Sequence, residues 1–116
     1  MSYIDGFVAS VPTSDKQAYA EFCRRVDAVF IEHGATRVVD AWGADVPHGE
    51  QTDFYRAVAA IDGETVVFGY IEWPDKPTRD AGFQAAMQDD RMSGAPPFDG
   101  KRMIFGGFDA ISVMEK

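Results

Sequence analysis

Apolar residues dominate the stretch from Tyr3 to Val11, and Pro12 stops it, which predicts a first strand. Its two faces read Tyr3, Asp5, Phe7, Ala9, Val11 and Ile4, Gly6, Val8, Ser10. Both are largely apolar, so this strand is expected to be covered on both sides. After Ser14 the period changes. Tyr19, Phe22, Cys23, Val26, Val29, Phe30 and His33 recur at steps of three and four, the stripe of an amphipathic helix. Ser14, with Gln17 as a capping-box partner, is the expected N-cap, and Gly34 the expected stop. Glu21, Arg24, Arg25, Asp27 and Glu32 are expected to face away from the core.

A second strand is predicted over 36–46, on Val38, Val39, Ala41, Trp42 and Val46, followed by a polar loop over 47–53. In 54–60 the alternation of Phe54, Arg56 and Val58 competes with helix-compatible alanines, and a short strand or irregular segment is expected. Asp62-Gly63 marks a turn. The β-formers Val66, Val67, Phe68, Tyr70, Ile71 and Trp73 predict a strand over 65–73, stopped by Pro74. Asp75 can cap a second helix that tolerates Pro77 in its first turn and runs to about Gln88. A loop over 89–97 leaves room for one extra turn. Asp99-Gly100 then opens a last strand, 102–114, which is interrupted by Gly106-Gly107 and expected to be buried on both faces.

The order β-α-β-x-β-α-β is the plan of a ferredoxin-like α+β sandwich, an antiparallel sheet with two helices on one face. Two helices leave the other face bare. Yet Phe7, Val67, Ile71, Ile104 and Phe108 read as one apolar parity, and Val8, Phe68, Tyr70, Phe105 and Ile111 as the other. A bare apolar face of that size is a partner site, and the simplest partner is a second copy, sheet to sheet. A homodimer enclosing a barrel-like core is expected.

Several segments together carry a family resemblance. They are Tyr3-Ile4-Asp5-Gly6-Phe7-Val8 with Val11-Pro12, Glu64-Thr65-Val66-Val67-Phe68, Ile71-Glu72-Trp73-Pro74, Arg91-Met92, and the run Phe98-Asp99-Gly100-Lys101-Arg102-Met103-Ile104-Phe105-Gly106-Gly107-Phe108. The chain resembles the YbaA-like proteins, domain-of-unknown-function family 1428, over nearly its whole length. That resemblance implies the dimeric α/β-barrel architecture, whose members include small monooxygenases, haem-degrading enzymes and lactone isomerases. It implies no established activity. Asp89-Asp90-Arg91-Met92 stands where the family pattern leads one to expect Asp-Pro-Arg-Met.

Charge narrows the partners. The 116 residues make one domain, 1–116, with 11 basic against 19 acidic side chains and a net charge of −8. Such a surface repels phosphate backbones, so no nucleic-acid role is expected. A lone cysteine, Cys23, suits a reducing compartment. The first residues lack the basic and apolar regions of a signal peptide, and no apolar run approaches the roughly 20 residues that span a bilayer. A cytoplasmic protein without membrane contact is expected.

The chemistry is sparse. His33 and His48 are the two histidines, and no His, Cys or carboxylate cluster has metal-ligand spacing, so neither metal nor cofactor is expected. Cys23 lies on the apolar stripe and reads as a small hydrophobe. Gly106-Gly107, lying in mid-strand, reads as a bulge or close approach rather than a phosphate cradle. Asp5 interrupts an apolar parity, where a charge needs a partner; Arg102, Lys101 and Arg56 are the candidates. Glu72, between Ile71 and Trp73, poses the same question. A pocket in this fold is expected between sheet and helices, with Asp5, His33, Trp42, Tyr70, Glu72, Arg79 and Arg102 as candidate lining residues. The expected function is binding of a small apolar or aromatic molecule there. Cofactor-free monooxygenase or isomerase chemistry, and a non-catalytic structural or partner-binding module, are the alternatives.

Overall fold

The structure, a computed structural model, describes residues 2–116. Strand β1 (Tyr3–Pro12) lies inside a four-stranded sheet of order β2-β3-β1-β4, with β2 Arg37–Trp42, β3 Glu64–Trp73 and β4 Ile104–Asp109. All three neighbouring pairs are antiparallel. Strands β1 and β2 therefore run parallel with β3 between them, the split arrangement of a ferredoxin-like α+β fold. Helix α1 (Lys16–Glu32) makes the crossover from β1 to β2, and α3 (Lys76–Met87) that from β3 to β4.

Both helices pack on one face of the sheet, and the period of three and four explains which side chains go down. Tyr19, Cys23, Val26, Val29 and Phe30 of α1 are buried. Phe30 meets Trp73 edge-on at 6.2 Å between ring centres and Phe83 of α3 at 5.5 Å. Trp73 is fully buried; withdrawing so large a ring from water contributes about 2–3 kcal/mol or more. Gly34 closes α1 at φ +113°, a left-handed value that suits glycine. Asp75 caps α3 as expected, its Oδ1 accepting from Thr78 N–H at 2.8 Å, with Pro77 in the first turn.

Several expectations are corrected. The capping box at Ser14 does not form: a 3-10 turn (Thr13–Asp15) precedes α1, and no side chain caps the helix. Strand β2 ends at Trp42, short of Val46. Residues 54–60 contain no strand. Instead Asp53 accepts from Arg56 N–H at 2.8 Å and caps a single helical turn, α2 (Phe54–Ala57), because a local side-chain acceptor outweighs a weak alternation. The extra turn after α3 is present at Asp90–Met92, capped by Asp89, whose carboxylate accepts from Arg91 N–H at 2.9 Å.

The last strand is shorter than expected and is not buried. Strand β4 stops at Asp109, and Ile111 and Met114 beyond it are exposed. Its parity also differs from the one expected. Ile104 and Phe108 stand opposite Val8 and Ile4, and Phe105 stands opposite Phe7. Cross-strand partners share a face, so Ile104 and Phe108 join Val8, Phe68 and Tyr70 on the outer face, and Phe105 joins the helix side. Sequence parity cannot be carried between strands until their register is known. At one end of the outer face, Val58 and Tyr55 pack on Val8 and Val66. Elsewhere it is bare: Phe68 is 47% exposed and Phe108 62%. Among the described residues, no helix is long and apolar enough to cross a membrane.

Candidate functional site

Between the sheet and the two long helices lies a cavity of about 610 Å³. Phe7, Tyr19, Phe22, Phe30, Phe83 and Phe98 supply aromatic walls, and Met103 and Phe105 lie towards β4. Polar groups enter at few places: Asp5, Asp27, Asp40, Arg79, Asp80 and Gln84. They form two separate acidic positions with opposite character.

At the first, Asp5 on β1 meets Arg79 on α3. Arg79 Nη2 lies 2.9 Å from Asp5 Oδ1, and its Nε donates to both carboxylate oxygens at 3.1 Å. Trp73 Nε1–H donates to Oδ2 at 3.0 Å. The guanidinium also binds Asp80 Oδ1 at 2.8 Å and lies over the Tyr3 ring at 5.0 Å. The Asp5 hydrogen bonds, followed by that of Asp80, raise the Arg79 pKa further still. Both side chains are largely shielded, 15% exposed for Asp5 and 25% for Arg79. This is a satisfied ion pair. The partners expected from sequence were wrong: Arg102, Lys101 and Arg56 are elsewhere.

The second acidic position brings together Asp27 of α1 and Asp40 of β2, both lining the cavity. Among the described residues, no salt bridge reaches either one. Asp40 Oδ2 is withdrawn from solvent, and among the described residues no N–H or hydroxyl donates to it. Burial pushes the Asp27 carboxyl up to about 8, reinforced by a hydrogen bond to Asp40 and by its charge. At neutral pH the pair therefore holds a proton between them, as close carboxyls in a dry site must. Burial likewise raises the Tyr19 hydroxyl, and pushes the Cys23 thiol up to about 12, so Cys23 stays an unreactive thiol.

Of the seven candidates from sequence, the structure brings Asp5 and Arg79 together in the cavity. His33 forms the C-cap of α1. Trp42 packs on Tyr19 at 6.2 Å beneath Lys16, and borders a smaller hollow of about 210 Å³ near the end of β2. Tyr70 and Glu72 stand on the outer face, where β-strand alternation places them once Ile71 and Trp73 point inward. Arg102 grips Glu64 with two hydrogen bonds, Nη1 to Oε1 at 2.8 Å and Nη2 to Oε2 at 2.7 Å, and also reaches Asp99. That grip holds the Glu64 carboxyl down at about 2.

Asp27 was expected to face away, yet it lies four residues from Cys23 and three from Phe30, half-buried at the edge of the buried stripe. Asp40 falls between Val38 and Trp42 on the inward parity of β2. Spacing was the available signal for both. Gly107, opposite Asp5 in the sheet, has a plain steric reason: a Cβ there would collide with Tyr3 Oη and crowd Arg79 Nη2. Gly107 is thus an opening for the side chains of Tyr3 and Arg79, whereas an added Cβ at Gly106 would meet only Phe108, at 3.4 Å.

Comparison with known proteins fits this architecture. The chain is 50% identical to the uncharacterised protein YbaA of Escherichia coli K12 over 114 residues, covering 96% of this chain and 97% of the relative. The YbaA protein of Shigella flexneri gives the same figures. Among solved structures, the chain is similar to a dimeric ferredoxin-like protein from an uncultured marine organism, at TM-score 0.56, with 11% identity and complete coverage of both chains. That likeness shows the fold. Residues 2–105 match the family described as "Protein of unknown function (DUF1428)". On that match and on the identity to YbaA, the chain belongs to this family of proteins of unknown function.

Proposed function

We propose that the protein is a cytoplasmic homodimer that binds a small apolar or aromatic molecule between its sheet and helices. The cavity carries this reading. Its volume of about 610 Å³ falls in the range of small-molecule sites, and its aromatic walls with few polar anchors have their usual composition. A purely structural module would have filled that space with side chains. The bare outer face, with Phe68 and Phe108 half-exposed or more, supports pairing with a second copy. The marine ferredoxin-like relative in fold is itself described as dimeric. The single cysteine is free and buried, which suits a reducing cytoplasm.

Two measurements test this. Titration with the neutral fluorophore N-phenyl-1-naphthylamine should give saturable binding. Val26→Trp, which fills the cavity from α1, should weaken it at least tenfold while circular dichroism shows the fold retained. Absence of saturable binding, or equal binding by the filled variant, overturns the ligand reading. Sedimentation should show a dimer at micromolar concentration that Phe108→Asp converts to monomer. A wild-type monomer overturns the assembly.

A further inference from the structure

We infer that the molecule taken up by this cavity carries a basic nitrogen, whose ammonium group seats between the Asp27 and Asp40 carboxylates. The inference rests on the cavity-binding reading above and adds the chemistry of the ligand. It follows from counting charges and donors. Asp5, Asp27, Asp40 and Asp80 line the cavity against one cation, Arg79, which Asp5 and Asp80 already occupy. An anionic ligand would find no free cation there and would meet unpaired acid instead.

The surroundings of the pair point the same way. The titratable groups sharing its cavity are Tyr19 and Cys23 on α1, Asp5 on β1, and Arg79 and Asp80 on α3. Tyr19 and Cys23 are neutral, and Arg79 is engaged at the other acidic position. A neutral apolar ligand would bring neither donor nor charge to Asp40 Oδ2, which has only the Asp27 proton to share. An ammonium brings N–H donors and a positive charge to the one place in the cavity that lacks both. In the same cavity, Tyr19, Phe22 and Phe98 stand 5.9–6.4 Å apart between ring centres. Faces of such rings attract an alkylammonium, as in aromatic cages.

Proton linkage gives the inference a signature. Below about pH 8 the Asp27 proton occupies the seat, so binding an ammonium releases it. Affinity for the cation should then rise about tenfold per pH unit until Asp27 is ionised. A primary alkylammonium stays charged to about pH 10, so the rise reports the protein rather than the ligand.

The test is calorimetric titration at pH 6, 7 and 8 with three probes of one shape: 2-(1-naphthyl)ethylamine, 2-(1-naphthyl)ethanol and 1-naphthylacetate. The amine should bind at least tenfold tighter than the alcohol at pH 8, with proton release at pH 6 and 7, and the acetate should not bind. Asp27→Asn and Asp40→Asn should each remove the preference for the amine, with circular dichroism showing that the variants fold. If either variant fails to fold, the other and the wild-type pH dependence decide. Equal affinity for amine and alcohol at pH 8, or a preference that survives both substitutions, overturns the inference and leaves the cavity reading standing. Failure of all three probes and of N-phenyl-1-naphthylamine overturns the cavity reading itself.

Discussion

Asp5 on β1 and the pair formed by Asp27 of α1 and Asp40 of β2 line one cavity, and they solve the burial of negative charge in contrasting ways. Asp5 receives a guanidinium from α3 and an indole N–H from β3, so every charge there is matched. Asp27 and Asp40 receive neither, and they reduce their charge by holding a proton. The difference teaches that the same residue type serves two purposes at one apolar wall. A matched pair pins α3 to the sheet. An unmatched pair keeps a binding potential unspent, at the expense of stability.

Substitutions should separate the two positions by sign as well as size. The largest loss is expected from Arg79→Leu, which strands Asp5 among apolar groups. Urea unfolding at pH 7 should show about 3 kcal/mol less stability, at the lower end for uncovering a buried charge. Asp27→Asn should act in the opposite direction. The folded Asp27 pKa is raised to about 8 from 3.8, so its contribution is complete below about pH 4 and lost as pH rises through 8. Melting temperatures followed from pH 4 to 9 should therefore shift in favour of the variant, reaching about 2 kcal/mol at the alkaline end. No growth of that difference with pH would remove the contrast.

Asp5→Asn is expected to be milder than Arg79→Leu, a loss of about 1.5 kcal/mol in the same urea assay. Asparagine still accepts from Trp73, and Arg79 keeps Asp80. The last contrast concerns Glu64, a third acid, held by Arg102 away from the cavity. Its pKa is lowered from 4.5 to about 2, so its stabilisation is present above about pH 4.5 and lost as pH falls through 2. The wild-type advantage over Glu64→Gln should be constant above pH 5 and vanish on acidification, the mirror image of Asp27, as thermal melts from pH 2 to 7 would show.

Much of the fold was legible because burial imposes periods: α1 shows its stripe, β3 its dense β-formers, and α3 its Asp75 cap. The termini of elements were less so. Ser14 lost its capping role to a 3-10 turn, and Asp53 made a helical turn where alternation suggested a strand, since local hydrogen bonds decide such ends. At the site, residue types were readable but partners were not. That Asp5 needed a cation followed from its neighbours; that the cation is Arg79, 74 residues away, follows from how α3 crosses β1. Asp27 was misread because charge was given priority over position. Its spacing from Cys23 and Phe30 placed it inward all along.

Strand β4 adds a kinetic consequence. It pairs with β1 at almost the full length of the chain, Tyr3 opposite Asp109, and Ala110 N–H donates to Ser2 O at 3.0 Å just beyond. Contacts between positions so distant close a very large loop and form late, after local hairpins and helices. Until β4 docks, β1 is an open edge bearing Phe7 and Val8, and Tyr3 and Asp5 lack the strand that flanks them. With β4 undocked, that unpaired edge would be adhesive. Substitutions that weaken this seam are therefore expected to show themselves as aggregation on refolding.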